Sequence, residues 1–201
     1  MGPNGTVGFV MPVYNEEQIL RPQLKGLTEF LDKKDISYEI IVVENGSTDR
    51  TPEILDELKK TYDQLTVHNI GPANVGLAKK TGLVKSPHNW NFIVHVDFWD
   101  KEFINESLQL LEETPVVQSS KCLPESKDDR PPLRRLLTRG YSFLVRWLIG
   151  YEGTDTRGIK ALRKDDVEHI LDKCVFERGM FETELVVRCQ KEGIPIRERS
   201  A

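Results

Sequence analysis

Apolar positions in this chain fall either into short unbroken runs or into longer stretches where they recur every three or four residues, the pattern of buried strands alternating with amphipathic helices. Val7 to Val13 reads as a buried strand. The Asn15-Glu16-Glu17 segment opens a helix through about Leu31, with Ile19, Leu20, Leu24, Leu27, Phe30 and Leu31 at helical spacing and early acids suited to the dipole. Tyr38 to Val43 is a second strand. Thr51-Pro52-Glu53 then has the form of an N-cap with proline at the first helical position, and Ile54, Leu55 and Leu58 supply the inward face. Leu65 to Asn69 predicts a strand, Gly71 to Asn74 a loop, Val75 to Lys85 a short helix, and Asn91 to Val96 a strand ending at Asp97. Phe103 to Leu111 is helical and Val116 to Ser120 extended. Residues 121–132 are polar, charged and proline-rich, which predicts a mobile surface loop over a site rather than a linker. Beyond it come a helix from Leu133 to Ile149, a loop and short strand over Thr154 to Leu162, and a helix over Asp165 to Leu171. A final helix from Met180 to Gln190 is stopped by Gly193. Strands alternating with helices imply an α/β fold with a mostly parallel central sheet, Rossmann-like, in three α/β/α layers.

At 201 residues the chain suits one domain, since folding at this length buries roughly 70% of the surface the unfolded chain exposes. Residues 1–201 are therefore expected to form a single domain with a disordered or tag-like start over 1–6. The net charge of −4 argues against generic nucleic-acid binding. Any anionic ligand must meet local positive charge. Cys122, Cys174 and Cys189 show neither an even count nor CxxC spacing, so no disulfide framework or zinc knuckle is expected, and a reduced, intracellular protein is the simpler reading. Met1 to Thr6 lacks the basic segment and apolar run of a signal peptide. No run of about 18 uncharged apolar residues offers a membrane span.

The chemistry gathers where strands break into polar loops, because ligands sit at the carboxyl ends of strands in open α/β sheets. Pro12 sets the exit of the first strand, Tyr14 can pack on a base or ribose, and Asn15 and Glu16 can bond to ribose hydroxyls and base edges. Glu44 ends the second strand, where a carboxylate can take ribose or base donors, with Asn45 and Ser47 beside it. The competing reading of Asn45-Gly46-Ser47-Thr48-Asp49 is an ordinary turn that caps a helix. Together, Pro12-Val13-Tyr14-Asn15-Glu16 and Val43-Glu44-Asn45-Gly46-Ser47-Thr48-Asp49 resemble the P-x-Y-N-E and V-D-D/N-G-S-x-D motifs of the family 2 glycosyltransferases, inverting sugar-nucleotide enzymes with a GT-A fold. Aspartate is usual at position 44; the longer glutamate implies a different donor preference. Asn74-Val75-Gly76-Leu77-Ala78-Lys79-Lys80-Thr81-Gly82 is similar to the family's N-x-G-x-x-x-A segment, about two residues shorter. There the resemblance implies that Gly76 permits close backbone approach and that a helix N-terminus faces phosphate. Lys79 or Lys80 could reach a diphosphate, Lys80 being carried as the candidate, or both belong to an exposed helix face.

A divalent cation held by carboxylates would neutralise the charge growing on a nucleoside diphosphate as it leaves. Family members usually place D-x-D where this chain has His95-Val96-Asp97. The resemblance implies that Asp97 is a metal ligand and catalytic. His95, on the same strand face, could add a nitrogen, which suits manganese better than magnesium. The rival reading makes His95 a structural residue and lets Asp97 bind metal through water. Trp99 stands where many polyprenyl-phosphate transferases have a polar ligand.

In the helix from Leu133 to Ile149, Leu133, Leu136, Leu137, Tyr141, Leu144, Trp147 and Leu148 form one stripe, opposite Arg135, Arg139 and Arg146. That pattern suits an element lying in a membrane interface; the alternative is a core-packing helix with a solvated basic face. Asp155-Thr156-Arg157-Gly158-Ile159-Lys160 is similar to the D-T-Q-x-G-F-K stretch of dolichyl-phosphate glucosyltransferases and the D-x-x-S-G-F-R stretch of dolichol-phosphate mannose synthases, one residue shorter. Phe181-Glu182-Thr183-Glu184-Leu185 resembles their F-D-x-E-L helix, and Gly193 to Glu198 their closing strand. The resemblance covers roughly residues 7–198. It implies metal-assisted transfer of a hexose from a nucleotide-diphosphate sugar, with inversion, to a polyprenyl phosphate, by a protein peripheral to the cytoplasmic face of a membrane. Such an acceptor oxygen is already ionised and needs cations rather than a general base. Arg139 takes that duty, with Arg134, Arg135, Asp155, Arg157 and Lys160 in the acceptor set. The alternatives are a soluble family 2 enzyme extending a glycan, with Glu125, Asp128 or Asp129 as base, and a sugar-nucleotide-binding domain whose metal site has decayed.

Overall fold

The computed structural model describes the backbone of residues 5–71, 73–123 and 132–200. Among these, β1 (Val7–Val13), β2 (Tyr38–Glu44), β3 (Leu65–Asn69), β4 (Trp90–Ile93), β5 (Val116–Ser120), β6 (Lys160–Arg163) and β7 (Ile196–Ser200) form one sheet in the order β3-β2-β1-β4-β6-β5-β7. Only β6 runs antiparallel to its neighbours. The expected α/β fold, with a mostly parallel sheet, is what the chain adopts.

Every residue of β1 is buried, which is why the strand reads as an unbroken apolar run rather than an alternation. Its alternate side chains serve two cores. Val7, Phe9, Met11 and Val13 face a cluster with α1 (Leu20–Leu31), α2 (Thr51–Leu58) and α4 (Lys101–Leu110), where Phe9 stacks on Phe92 at 4.9 Å between ring centroids. Val10 faces the other cluster, with Leu83 of α3 (Val75–Lys85), Val167, Ile170 and Leu171 of α6 (Lys164–Lys173), and Phe181 and Leu185 of α7 (Phe181–Lys191). In α1 the four leucines Leu20, Leu24, Leu27 and Leu31 are fully buried, each contributing about 1.5–3 kcal/mol of transfer free energy.

Three local expectations are corrected. Helix α1 starts at Leu20, because Asn15 has a positive φ of 54° and the chain turns through Ile19 before the helix begins. Strand β4 stops at Ile93; Val94 still donates to Val10 O, after which His95 and Phe98 exchange backbone hydrogen bonds of 3.1 and 3.3 Å and fold residues 95–98 into a tight turn. Thr51 is not the cap of α2. Its own N–H goes to Asp49 Oδ1 at 2.9 Å, and its hydroxyl serves the other loop.

Helix α5 (Pro132–Ile149) differs from the others. Leu137, Phe143, Leu144, Trp147 and Leu148 are all exposed, Trp147 to 73%. The expectation of a lid over 121–132 and of a tag-like start over 1–6 falls largely outside the described residues.

Candidate active site

The loops after β1 and β2 bind each other. Asn15 N donates to Ser47 Oγ (3.0 Å), Glu16 N to Thr51 Oγ1 (2.8 Å), Glu17 N to Asp49 Oδ2 (3.2 Å), Thr48 N to Asn15 Oδ1 (2.8 Å) and Arg50 N to Glu17 Oε2 (3.0 Å). Burial alone would raise the Asp49 carboxyl, but the hydrogen bonds it accepts from Thr51 and Glu17 together outweigh that and hold it below the ordinary range. Glu44 is buried, and its Oε1 accepts from Ser47 N at 2.5 Å. Buried Asn45 reaches the third loop, where its Oδ1 accepts from Asn74 N at 2.5 Å. Side chains taken in sequence as ligand contacts at Asn15, Asn45 and Ser47 therefore spend their oxygens on backbone N–H groups. They build the cradle. Gly46 turns this loop at φ 75°, with a Cβ there only 2.4 Å from Gly71 O.

Pro12 is buried within β1 opposite Val43, and so it shapes the strand rather than contacting a ligand. Its missing N–H faces the β4 side, the side on which Val10 O accepts from Val94 N, just where β4 leaves the ladder. A proline is tolerated in this central strand for that reason. What stays open at the rim is Tyr14, 42% exposed, with half-buried Glu16 and exposed Asp97. Burial, then the carboxylates of Asp97 and Asp49, push the Glu16 carboxyl above its usual range. The charges of Asp97 and Asp49 thus bear on Glu16 at one region of the rim.

Helix α3 is capped by Asn74, whose Oδ1 accepts from Leu77 N (3.1 Å) and from Arg178 N (2.8 Å). The close approach at Gly76 is real but is made by the chain itself: a Cβ there would lie 2.4 Å from Arg178 O and 2.6 Å from Arg178 N. Lys80 points away from the rim and donates to Cys174 O at 2.6 Å. Lys79, one residue and about 100° earlier on the helix, turns inward. It is buried, donates to Glu182 Oε2 at 2.5 Å and meets His95 Nε2 at 3.4 Å. Burial and the neighbouring Lys79 ammonium lower the proton affinity of His95. A ring nitrogen facing an ammonium is a poor place for a second cation, so the metal role expected of His95 is not supported. Glu182 was read in sequence only as part of the stretch resembling the F-D-x-E-L helix and was given no role in the site. Trp99 is a wall residue, its ring against Gly26 and its Nε1 donating to Gln23 Oε1 at 3.2 Å.

On the acceptor side, Arg134, Arg135 and Arg139 lie in α5 with side chains outside the described residues. Arg157 is exposed, its guanidinium 4.8 Å from the centre of the Tyr141 ring. Two expected acceptor residues are corrected. Lys160 is fully buried and donates to the carbonyls of Thr156 (2.9 Å) and Gly158 (2.8 Å). Asp155 is buried as well, its Oδ1 accepting from Arg157 N at 2.9 Å and its Oδ2 from Lys121 N at 3.4 Å. No group of three or more His, Cys, Asp or Glu among the described residues is arranged to hold a metal.

A three-layer α/β domain whose acids and an exposed tyrosine lie at the carboxyl ends of β1, β2 and β4 is a GT-A type domain. The profile of "Glycosyl transferase family 2" matches residues 9–171, and the chain belongs to that family. Among curated proteins it is 27% identical over 202 residues to "Glycosyltransferase AglD" of Haloferax volcanii, covering 96% of this chain and 32% of that protein. It is 28% identical over 208 residues to "Dolichyl-phosphate beta-glucosyltransferase ALG5C" of Trichomonas vaginalis, covering 94% of this chain and 61% of that one. The chain thus spans 32% of the length of the first of these relatives and 61% of the second. The fold is shared with glucosyl-3-phosphoglycerate synthase from Mycobacterium tuberculosis, solved with Mn2+, uridine diphosphate and phosphoglyceric acid: TM-score 0.70, 17% identity, 97% of this chain and 68% of that one.

Proposed function

We propose that this chain, as one domain, transfers a hexose from a nucleotide-diphosphate sugar to a polyprenyl (dolichyl) phosphate with inversion. The observation that carries the reading is the convergence at one rim of Tyr14, Glu16 and Glu44, in two loops tied together by their own side chains, with Asp97, whose charge acts on Glu16 from the turn after β4. Tyr14 stacks on the base or ribose, and Glu44 offers its second carboxylate oxygen to a ribose or base donor. The names of the relatives described above support the acceptor class.

A divalent cation fits this rim on one ground: the like charge that Asp97 and Asp49 impose on Glu16 is what a bound cation would relieve. Asp97 is the residue that would hold it, with manganese or magnesium supplying charge neutralisation at the departing diphosphate. In the displacement itself, an ionised phosphate oxygen of the acceptor attacks the anomeric carbon as the bond to the diphosphate oxygen breaks. No proton has to be removed from that nucleophile at neutral pH, its second ionisation lying near 6. The chain's task is alignment, which falls to Arg139 with Arg134, Arg135 and Arg157. Exposed apolar residues of α5, with Arg146 beside them, support peripheral seating of this flank on the cytoplasmic face of a membrane. No helix among the described residues is long and apolar enough to cross one.

The test supplies sugar-labelled nucleotide donors and manganese to the protein with dolichyl phosphate in vesicles. Label extracted into the organic phase, dependent on the acceptor lipid, is the expected result. Label in a water-soluble glycan, or donor binding with no transfer, overturns the reading.

A further inference from the structure

Behind the rim lies a buried polar cluster that the displacement above does not use. It joins four separate elements: Lys79 from α3, His95 from the turn after β4, Lys160 at the start of β6 and Glu182 in the first turn of α7. Glu182 is 7% exposed, Lys79 4% and Lys160 0%. Glu182 Oε2 accepts from Lys79 Nζ at 2.5 Å, while Oε1 lies 3.8 Å from Lys160 Nζ and has no hydrogen-bond partner among the described residues. Burial alone would raise the Glu182 carboxyl, but the ammonium groups of Lys160 and Lys79 outweigh it and hold it ionised. Charges this deep persist only when paired and oriented, and removing one partner of such a pair is costly.

The geometry continues outward. Lys79 Nζ carries only donors, so at 3.4 Å the facing His95 Nε2 has to be the acceptor. In a neutral imidazole the proton then sits on Nδ1. His95 is also the first residue of the tight turn closed by its own N–H to Phe98 O (3.1 Å) and by Phe98 N–H to its own carbonyl (3.3 Å), and Asp97 is the third residue of that turn. We propose that Glu182, Lys79 and His95 form a positioning relay, in which the α7 carboxylate orients Lys79, Lys79 fixes the tautomer and placement of His95, and His95 braces the turn that presents Asp97. The relay ties α7, in the acceptor half of the sheet, to the acid on the donor side. None of its three members touches substrate; each acts through the next.

Two measurements test it, and only the second rests on the transfer reading. Nitrogen-15 correlation spectra of the labelled full chain report which nitrogen carries the proton in each of its 4 histidines, with His95→Asn assigning the signal. The expected result is His95 protonated at Nδ1 in the native chain and shifted toward Nε2–H in Lys79→Met. A native His95 protonated at Nε2, or a tautomer indifferent to Lys79→Met, overturns the relay. If Lys79→Met does not fold, Glu182→Gln replaces it, with the same outcomes read from the same signal. In kinetics, Glu182→Gln is expected to lower kcat about tenfold, the loss of roughly one charge-assisted hydrogen bond, with KM for the acceptor lipid unchanged. His95→Gln, whose amide oxygen can still accept from Lys79, is expected to keep more activity than His95→Asn, which is too short. A rise in acceptor KM in Glu182→Gln, or equal losses in the two His95 variants, counts against positioning. A chain that transfers no sugar but shows the expected tautomer keeps the relay and sinks the function.

Discussion

The proposed donor rim, at the carboxyl ends of β1, β2 and β4, and the proposed acceptor flank around α5 are held in opposite ways. At the rim, five side-chain-to-backbone hydrogen bonds among the described residues lace the loop after β1 to the loop after β2. Loops bonded like this are set before any ligand arrives, and the cost of ordering them is met in folding rather than binding. The flank shows a helix whose apolar stripe is turned outward, with Leu137, Leu144, Trp147 and Leu148 exposed, beside a strand whose lysine is sealed inside. One side is complete in the isolated chain. The other leaves an apolar surface open among the described residues. The contrast teaches that a polar motif can be rigid because its side chains serve the backbone, whereas an amphipathic helix can be anchored through one residue, here Tyr141 on Tyr151, Val186 and Val187, and still present most of its apolar side chains outward.

The comparison breaks most sharply at Asp97. Replacing it with alanine removes the acid proposed to hold a cation at the leaving group, and losing such electrostatic stabilisation costs about 10²–10³ in turnover. Asp97→Ala is expected to lose at least that much in labelled-sugar transfer. Its denaturation midpoint should stay within about 0.5 kcal/mol of the native chain, because the side chain is exposed. Retained transfer would move the metal, or the need for one, elsewhere.

Gly76 probes the rigidity of the donor half. A methyl group there meets backbone atoms of Arg178 at 2.4 and 2.6 Å, and backbone yields less readily than a side-chain tip. Gly76→Ala is expected to destabilise the fold by about 1–3 kcal/mol, the usual cost of overpacking, measured by denaturant titration. A neutral or stabilising result would show that the 177–178 segment sits loosely on α3 and that the glycine is present for a ligand after all.

Much of the architecture was legible because buried parallel strands read as apolar runs: the limits of β1, β3, α3 and β5 coincide with those read from pattern. Boundaries set by polar detail were not. Helix α1 starts late because Asn15 takes a left-handed conformation to meet Ser47 and Thr48, residues some thirty positions away. The same limit applies at the site. Asn45 and Ser47 have the chemistry of ligand contacts, and nothing local distinguishes a side chain aimed at a nucleotide from one aimed at a neighbouring loop's N–H. Lys160 looked like an exposed cation because its partners, two carbonyls and Glu182, come together only in the folded chain. Lys79 and Lys80 are adjacent and chemically identical, so only the phase of α3 on the sheet separates the buried one from the one on Cys174 O.

The flank is sharpened at Trp147. If its 73% exposure reflects a surface covered by lipid, Trp147→Glu should lower partitioning onto anionic vesicles about tenfold or more, since burying an aromatic side chain is worth about 1.5–3 kcal/mol. Stability of the free chain should barely change, within about 0.5 kcal/mol. Unchanged vesicle binding, or a clear loss of stability, would mean that the helix packs on protein instead.

The smallest effect expected separates strain kept for function from strain with no use. Glu16 is raised by burial first, then by Asp97 and Asp49, so its charged form is disfavoured in the fold relative to the unfolded chain. For a carboxyl with a raised native value, linkage runs against stability above the unfolded value, and the cost disappears as pH falls through the native one. Glu16→Gln removes that cost. Since the group is largely solvated, the gain is expected to be under about 1 kcal/mol. It should be present at neutral pH and fade as pH drops toward 4.5, the group's ordinary value. Sugar transfer should fall in the same variant, because the acid kept uncomfortable at the rim is the one a cation or a sugar donor would relieve. A variant less stable than the native chain at neutral pH would make Glu16 a structural residue of the turn before α1, and the donor rim would then keep only Tyr14, Glu44 and Asp97.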